Sequence, residues 1–192
     1  FAVAMPIGAS AAGAGASLTG ASSVRAGDTV TLSFNISGNS IFGASGTLSY
    51  DSNQVTLIET KQAIASPWQV EFNGSNFVAY DNNLSSPINS SKVIFTATFK
   101  IKAVAAGTNV KISCTGVTAS DGSADTNVGT VTYSATTLPP LSTNNNLAAL
   151  TVGGASISPA FSADITSYTV SVPFEVSRLN VNATAADSKA KV

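Results

Sequence analysis

The run Thr29 to Ser37 constrains the fold more than any other segment of the chain. Val30, Leu32, Phe34 and Ile36 alternate with Thr31, Ser33 and Asn35, directly after the turn residues Arg25-Ala26-Gly27-Asp28. Successive side chains of a β-strand point to opposite faces. A strict period of two therefore describes a half-buried strand with one side on a core and the other in water.

The same period returns along the chain at the spacing of a β-sandwich. Strands are expected at Leu18–Val24, Thr29–Ser37, Ile41–Tyr50, Val55–Thr60, Trp68–Phe72, Phe77–Asp81, Val93–Lys102, Thr108–Val117 and Val128–Tyr133. In the seventh, Val93, Phe95, Ala97, Phe99 and Ile101 share one face and Ile94, Thr96, Thr98, Lys100 and Lys102 the other. Asn73-Gly74 supplies the left-handed positions of a tight turn, so Trp68 to Asp81 reads as a hairpin. Pairing across it puts Trp68, Val70, Phe72, Phe77 and Ala79 on one side, and Gln69, Glu71, Val78 and Tyr80 on the other. No window carries a capped 3.6-residue period, which makes the chain all-β.

Composition removes most catalytic chemistry. The 192 residues include no histidine, so a Ser-His or Cys-His nucleophile cannot be assembled from them. The single Cys114 sits in phase with Val110 and Ile112 and is expected to be a buried, inert thiol. Glu71 and Asp81 are neighbouring acids, but the alternation turns Asp81 inward, leaving no acid/base pair across a cleft. Catalytic residues, metal ligands and cofactors are therefore expected to be none. Asp121 and Asp125 lack the spacing and terminal Glu of a calcium loop and read as hairpin-loop residues. Nine basic and ten acidic side chains, scattered singly, offer no stripe for a nucleic acid.

The ends differ from the middle. Phe1 to Ile7 is a short apolar stretch followed by Ala9-Ser10-Ala11, the small-x-small pattern of a signal-peptidase site, so residues 1–11 read as the remnant of an export signal. Ala12–Ser17 is expected to be a flexible lead-in. No stretch approaches the roughly 20 apolar residues of a membrane-spanning helix. Residues 136–146, with Pro139-Pro140 and a Ser/Thr/Asn run, read as a linker. Beyond it Leu150–Val152, Tyr168–Val172 and Leu179–Ala185 begin a second strand pattern over 147–192, about half a sandwich and expected to be truncated.

Two resemblances follow from these segments. Val24-Arg-Ala-Gly-Asp-Thr-Val-Thr-Leu-Ser-Phe-Asn-Ile36, then Phe42-Gly-Ala-Ser-Gly-Thr-Leu-Ser-Tyr-Asp51 and Val55-Thr-Leu-Ile58, resemble bacterial cohesin modules, as does the long strand Phe95–Ile101. Leu147-Ala-Ala-Leu-Thr-Val-Gly-Gly154 and Ile157 to Pro173 resemble the cadherin-like β-sandwich repeat of bacterial surface proteins. The first resemblance implies a jelly-roll β-sandwich over 12–135, followed by part of a second, Ig/cadherin-like sandwich. It also implies a non-catalytic role: one sheet face binds a dockerin, a helical module that carries its own calcium. The same resemblance implies an extracellular or cell-surface setting within a polysaccharide-degrading assembly.

In this chain the implied face is the outward side of the third, fifth and sixth strands. Val78 and Tyr80 would anchor a partner there, with Ser45, Thr47, Ser49 and Glu71 as the polar rim. Where dockerin-binding cohesins usually carry Asn and Asp on the third strand and Glu near the end of the sixth, this chain has Gly43, Ser45 and Tyr80. Two alternatives share the architecture. One is a carbohydrate-binding module, for which Tyr80 and Phe42 are the candidate exposed aromatics while Trp68 faces the core. The other is a passive spacer.

Overall fold

The computed structural model describes residues 13–190 and residue 192. The expected export signal therefore lies outside the described residues. The chain divides into two compact units between Pro139 and Pro140.

The first unit contains ten strands: β1 Gly15–Thr19, β2 Ser23–Val24, β3 Thr29–Ser37, β4 Gly43–Tyr50, β5 Val55–Gln62, β6 Trp68–Asn73, β7 Asn76–Asp81, β8 Ser91–Ile101, β9 Asn109–Ser120 and β10 Asp125–Thr137. They form a jelly-roll sandwich of a four-stranded sheet, β1-β3-β8-β5, and a six-stranded sheet, β2-β10-β9-β4-β7-β6. Every pairing is antiparallel except the short β2–β10 contact.

Alternation decides what fills the space between the sheets. Leu32, Phe34 and Ile36 of β3 and Phe95, Ala97 and Phe99 of β8 are fully buried from one side. Phe77 and Ala79 of β7 and Val110, Ile112 and Cys114 of β9 meet them from the other. Four rings bridge the layers: Phe34 stacks on Phe95 at 4.9 Å, Phe77 approaches both at 4.9 Å, and Phe72 stands edge-on to Phe95 at 5.0 Å. Such pairs add about 0.5–1.5 kcal/mol each beyond the area they bury.

Several expectations change at bulges and crossings. Val93 does not share the buried face of β8: it is exposed, while Ile94 and Phe95 are both buried. The β3–β8 register slips between Phe34↔Phe95 and Asn35↔Val93, and Ile94 is the extra residue of a β-bulge. The expected first strand divides into β1 and β2, because the chain passes from one sheet to the other at Gly20–Ser22, where Tyr133 Oη donates to Ala21 O at 2.6 Å. Part of the expected lead-in, Gly15–Ser17, is strand paired to β3.

The segment expected to open the linker is also strand. Thr136 and Thr137 end β10, and Thr137 is buried with its Oγ1 donating to Ala105 O at 2.6 Å. Leu138 N still donates to Val24 O at 2.7 Å. The prolines that signal the break, Pro139 and Pro140, come after these bonds.

The second unit holds β11 Leu147–Val152, β12 Ile157–Ser158, β13 Thr169–Val170 and β14 Val181–Ala185. They pair as two ribbons, β11 with β14 and β12 with β13. Strand structure is shorter than expected around Tyr168–Val172, where only Thr169 and Val170 pair. None of this unit's described residues is fully buried, and Phe174 is wholly exposed.

Candidate functional site

The outer face of the six-stranded sheet is mostly polar, with hydroxyls at its centre. Strand registers align Gln69, Tyr80, Gly43, Ser120 and Asp125 in one row across β6, β7, β4, β9 and β10. The next row is Glu71, Val78, Ser45, Thr118 and Asn127. A third joins Asn73, Asn76, Thr47 and Thr115.

These side chains bond across the strands. Ser45 Oγ and Thr118 Oγ1 are 2.8 Å apart, and Thr47 Oγ1 donates to Asn76 Oδ1 at 2.7 Å. Farther along, Ser113 Oγ and Thr132 Oγ1 are 2.8 Å apart. Ser49 is exposed opposite Ser113. Cross-strand pairs of this kind fix side chains that would otherwise be free, so the face is ordered before anything meets it.

Val78 and Tyr80 project from this face. Val78 is 48% exposed, an aliphatic side chain standing among hydroxyls. The Tyr80 hydroxyl donates to Glu71 Oε1 at 2.6 Å and lies 3.3 Å from Gln69 Oε1. That bond to a carboxylate, then desolvation and the negative charge of Glu71, raise the phenol pKa above its ordinary value. Tyr80 is thus a ring pinned at its far end. The structure brings Ser45, Thr47, Glu71, Val78 and Tyr80 together across three adjacent strands, with Ser49 farther along β4.

A concavity of about 310 Å³ opens at one end of the face. Gly43, Tyr80, Val78, Leu84, Phe42 and Asp125 are among its lining residues. Leu84 is 57% exposed and adopts a left-handed φ of 48°, which costs an L-residue about 1–2 kcal/mol. Its side chain lies over Gly122, where an added Cβ would come within 3.3 Å of Leu84 Cδ2.

Asp81 holds that loop. It is 2% exposed, and its carboxylate accepts the amides of Asn83 at 3.0 Å, Ser85 at 2.8 Å and Ser86 at 2.6 Å. Burial raises the carboxyl pKa, but the three amide donors outweigh it and leave the value below the ordinary one. Leu84 was not among the residues expected from the sequence. The available signal was Asp81 followed by Asn and Ser, the composition of a side-chain-capped turn.

The remaining chemical candidates are structural. Trp68 is 3% exposed and donates from Nε1 to Ser86 O at 2.8 Å, so its ring offers no sugar-stacking platform. Asp121 Oδ1 accepts the amides of Ser123 and Ala124, both at 2.8 Å, and these bonds hold its pKa below the ordinary value. It closes the β9–β10 hairpin. Burial pushes the Cys114 thiol up to about 12, which leaves it un-ionised at neutral pH. No group of three His, Cys, Asp or Glu side chains able to hold a metal occurs among the described residues.

Comparison with known proteins fits this geometry. The family model of the cohesin domain matches residues 15–138. The chain belongs to the cohesin family. Cohesin domains are protein-binding modules. Among solved structures, the fold is similar to the cohesin module of a family 33 glycoside hydrolase from Clostridium perfringens, with a TM-score of 0.54 and 11% identity over 65% of this chain and 96% of that one. A non-cellulosomal cohesin from the archaeon Archaeoglobus fulgidus gives a TM-score of 0.50 and 13% identity, covering 65% and 92%. The OlpA cohesin of a cohesin–dockerin complex from Clostridium thermocellum gives 0.52 and 13%, covering 65% and 99%. A search of curated proteins found no match.

Proposed function

We propose that this cohesin domain binds a dockerin-type protein module through the outer face of β9, β4, β7 and β6, without catalysis. The observation that carries the reading is Val78 and the pinned ring of Tyr80, standing as apolar contacts within an ordered ladder of hydroxyls. Buried aromatic and aliphatic anchors supply most of the energy of a protein interface, and a polar rim supplies register. Ser45, Thr47, Ser49 and Glu71 are that rim. Calcium belongs to the partner.

In this reading the protein works outside the cell or at its surface, in an assembly that places partner proteins near a polysaccharide. Residues 147–192 act as a cadherin-like spacer. The buried Trp68, with no row of exposed rings among the described residues, favours a protein partner over a glycan.

The test is a pull-down on the immobilised full chain from the secreted proteins of the source organism, in calcium and then in chelator. Retention of dockerin-bearing proteins that elute with chelator is the expected result. Retention that chelator leaves untouched, or a column that retains only glycans, overturns the dockerin assignment.

A further inference from the structure

A second surface, on the margin between the two sheets, has the form of a strand-docking cleft. Strands β5 and β8 pair only as far as Gln62↔Phe95. There the amides of Ala63 and Ile64 both donate to Ile94 O, at 2.9 and 3.1 Å, and the chain leaves to begin β6 in the other sheet. The first residues of β8, Ser91–Val93, lie in register with Asn35–Ser37 of β3 on one side. On the other side no strand pairs with them among the described residues.

An open cleft of about 540 Å³ occupies the place of the missing strand. Ile64, Pro67, Pro87 and Val93 give it apolar walls, and Lys92 is the one ionisable side chain among its lining residues. Trp68, almost wholly buried, backs the cleft and is fixed there by the bond from its Nε1 to Ser86 O. Val93, turned outward by the bulge at Ile94, leaves an aliphatic side chain exposed beside the open edge.

We propose that this cleft takes an extended peptide segment of a partner protein, added to the sheet as a strand beside Ser91–Val93. Its apolar side chain rests against Ile64 and Pro87, and two residues along, on the same face, an acidic side chain meets Lys92, which the pairing with buried Ile36 turns to that side. In strand addition the main-chain bonds give affinity and the alternate side chains give specificity. The cleft shares no residue with the rows that carry Val78 and Tyr80, so it engages its partner independently of that face. A lysine beside an open edge also deters self-pairing, and charge reversal separates the two roles.

The experiment is amide NMR on the full ¹⁵N-labelled chain, titrated with the acetylated, amidated pentapeptides Thr-Val-Thr-Glu-Thr and Thr-Val-Thr-Lys-Thr, which place the apolar and the charged side chain on one face. The Glu peptide should give saturable shifts at the Ser91 and Val93 amides and the Trp68 indole N–H. The Lys peptide should bind about two- to fivefold more weakly, the range of an exposed ion pair. In Lys92→Glu, an exposed change that leaves the core intact, the order should reverse. The proposal is overturned if those three resonances do not move up to millimolar peptide, or if Lys92→Glu leaves the order unchanged. Dimerisation through this edge in Lys92→Glu, without peptide shifts, overturns it in favour of a purely protective lysine.

Discussion

Tyr80 Oη lies 2.6 Å from Glu71 Oε1, a bond that crosses diagonally between β7 and β6. Neither residue packs into the core, so the bond orders the surface without helping to bury it. It converts a mobile phenol into a fixed apolar plate beside Val78, which lowers the conformational cost of meeting a partner.

The bond has a spectroscopic signature. Accepting from the phenol, Glu71 stabilises the protonated Tyr80, so the folded pKa is raised. The associated stability is present below the ordinary tyrosine value and is lost as pH rises through the raised one. In an alkaline absorbance titration, Glu71→Gln should shift one of the four tyrosines to lower pH. An identical titration curve would show that the bond does not persist in solution.

Asp81 predicts the opposite slope. Its folded pKa is lowered, so its stabilising effect is present above the ordinary carboxylate value of about 4 and is lost as pH falls through the folded value. Asp81→Asn keeps one acceptor oxygen and removes the charge. Thermal melts should show a lower Tm for the variant at pH 7, with the gap to wild type closing on acidification. A gap that stays constant with pH would rule out the charge as its source.

Gly46 joins the face to the core. A Cβ there would lie 2.9 Å from Phe77 Cζ and 3.3 Å from Thr115 O. Phe77 cannot yield, because Phe34 and Phe95 hold its ring. Gly46→Ala should therefore destabilise by about 1–3 kcal/mol, the usual cost of overpacking, measured by denaturant unfolding. Wild-type stability would mean that the aromatic cluster has room to relax.

Gln62 substitutes for a strand at the β6 edge. Its Nε2 donates to Ile64 O at 2.8 Å and Trp68 O at 2.9 Å, while its Oε1 accepts Val70 N at 3.0 Å. Gln62→Ala should cost about 1 kcal/mol and leave the β6 edge open to association. Unfolding and light scattering together check this; an unchanged variant would show that water replaces the side chain.

The fold was legible where one strict alternation met one flat strand. Thr29–Ser37 coincides with β3, and the Asn73-Gly74 turn sets the β6–β7 register. Bulges escaped detection because an inserted residue changes the phase without changing the composition: Ile94 in β8 reads as a surface residue until the Phe34/Asn35 slip is known. β10 reaches Asp125 and Thr137 only by register shifts around Gly129, whose φ of 91° keeps a broken alternation within one strand. On the candidate face, alternation sufficed to turn Val78 and Tyr80 outward. The Tyr80–Glu71 bond depends on rotamers, and Leu84 reaches the rim through a left-handed backbone held by Asp81. Neither signal is carried by a pattern of polar and apolar letters.

The most direct measurement is a calorimetric titration of a calcium-loaded dockerin, retained by the immobilised chain, into wild type, Tyr80→Ala and Val78→Asp. The account predicts that each variant weakens binding by about 2 kcal/mol or more, the scale of an interface anchor, while Tm stays within the range of surface substitutions. Unchanged affinity in both variants would contradict the assignment of the β9-β4-β7-β6 face.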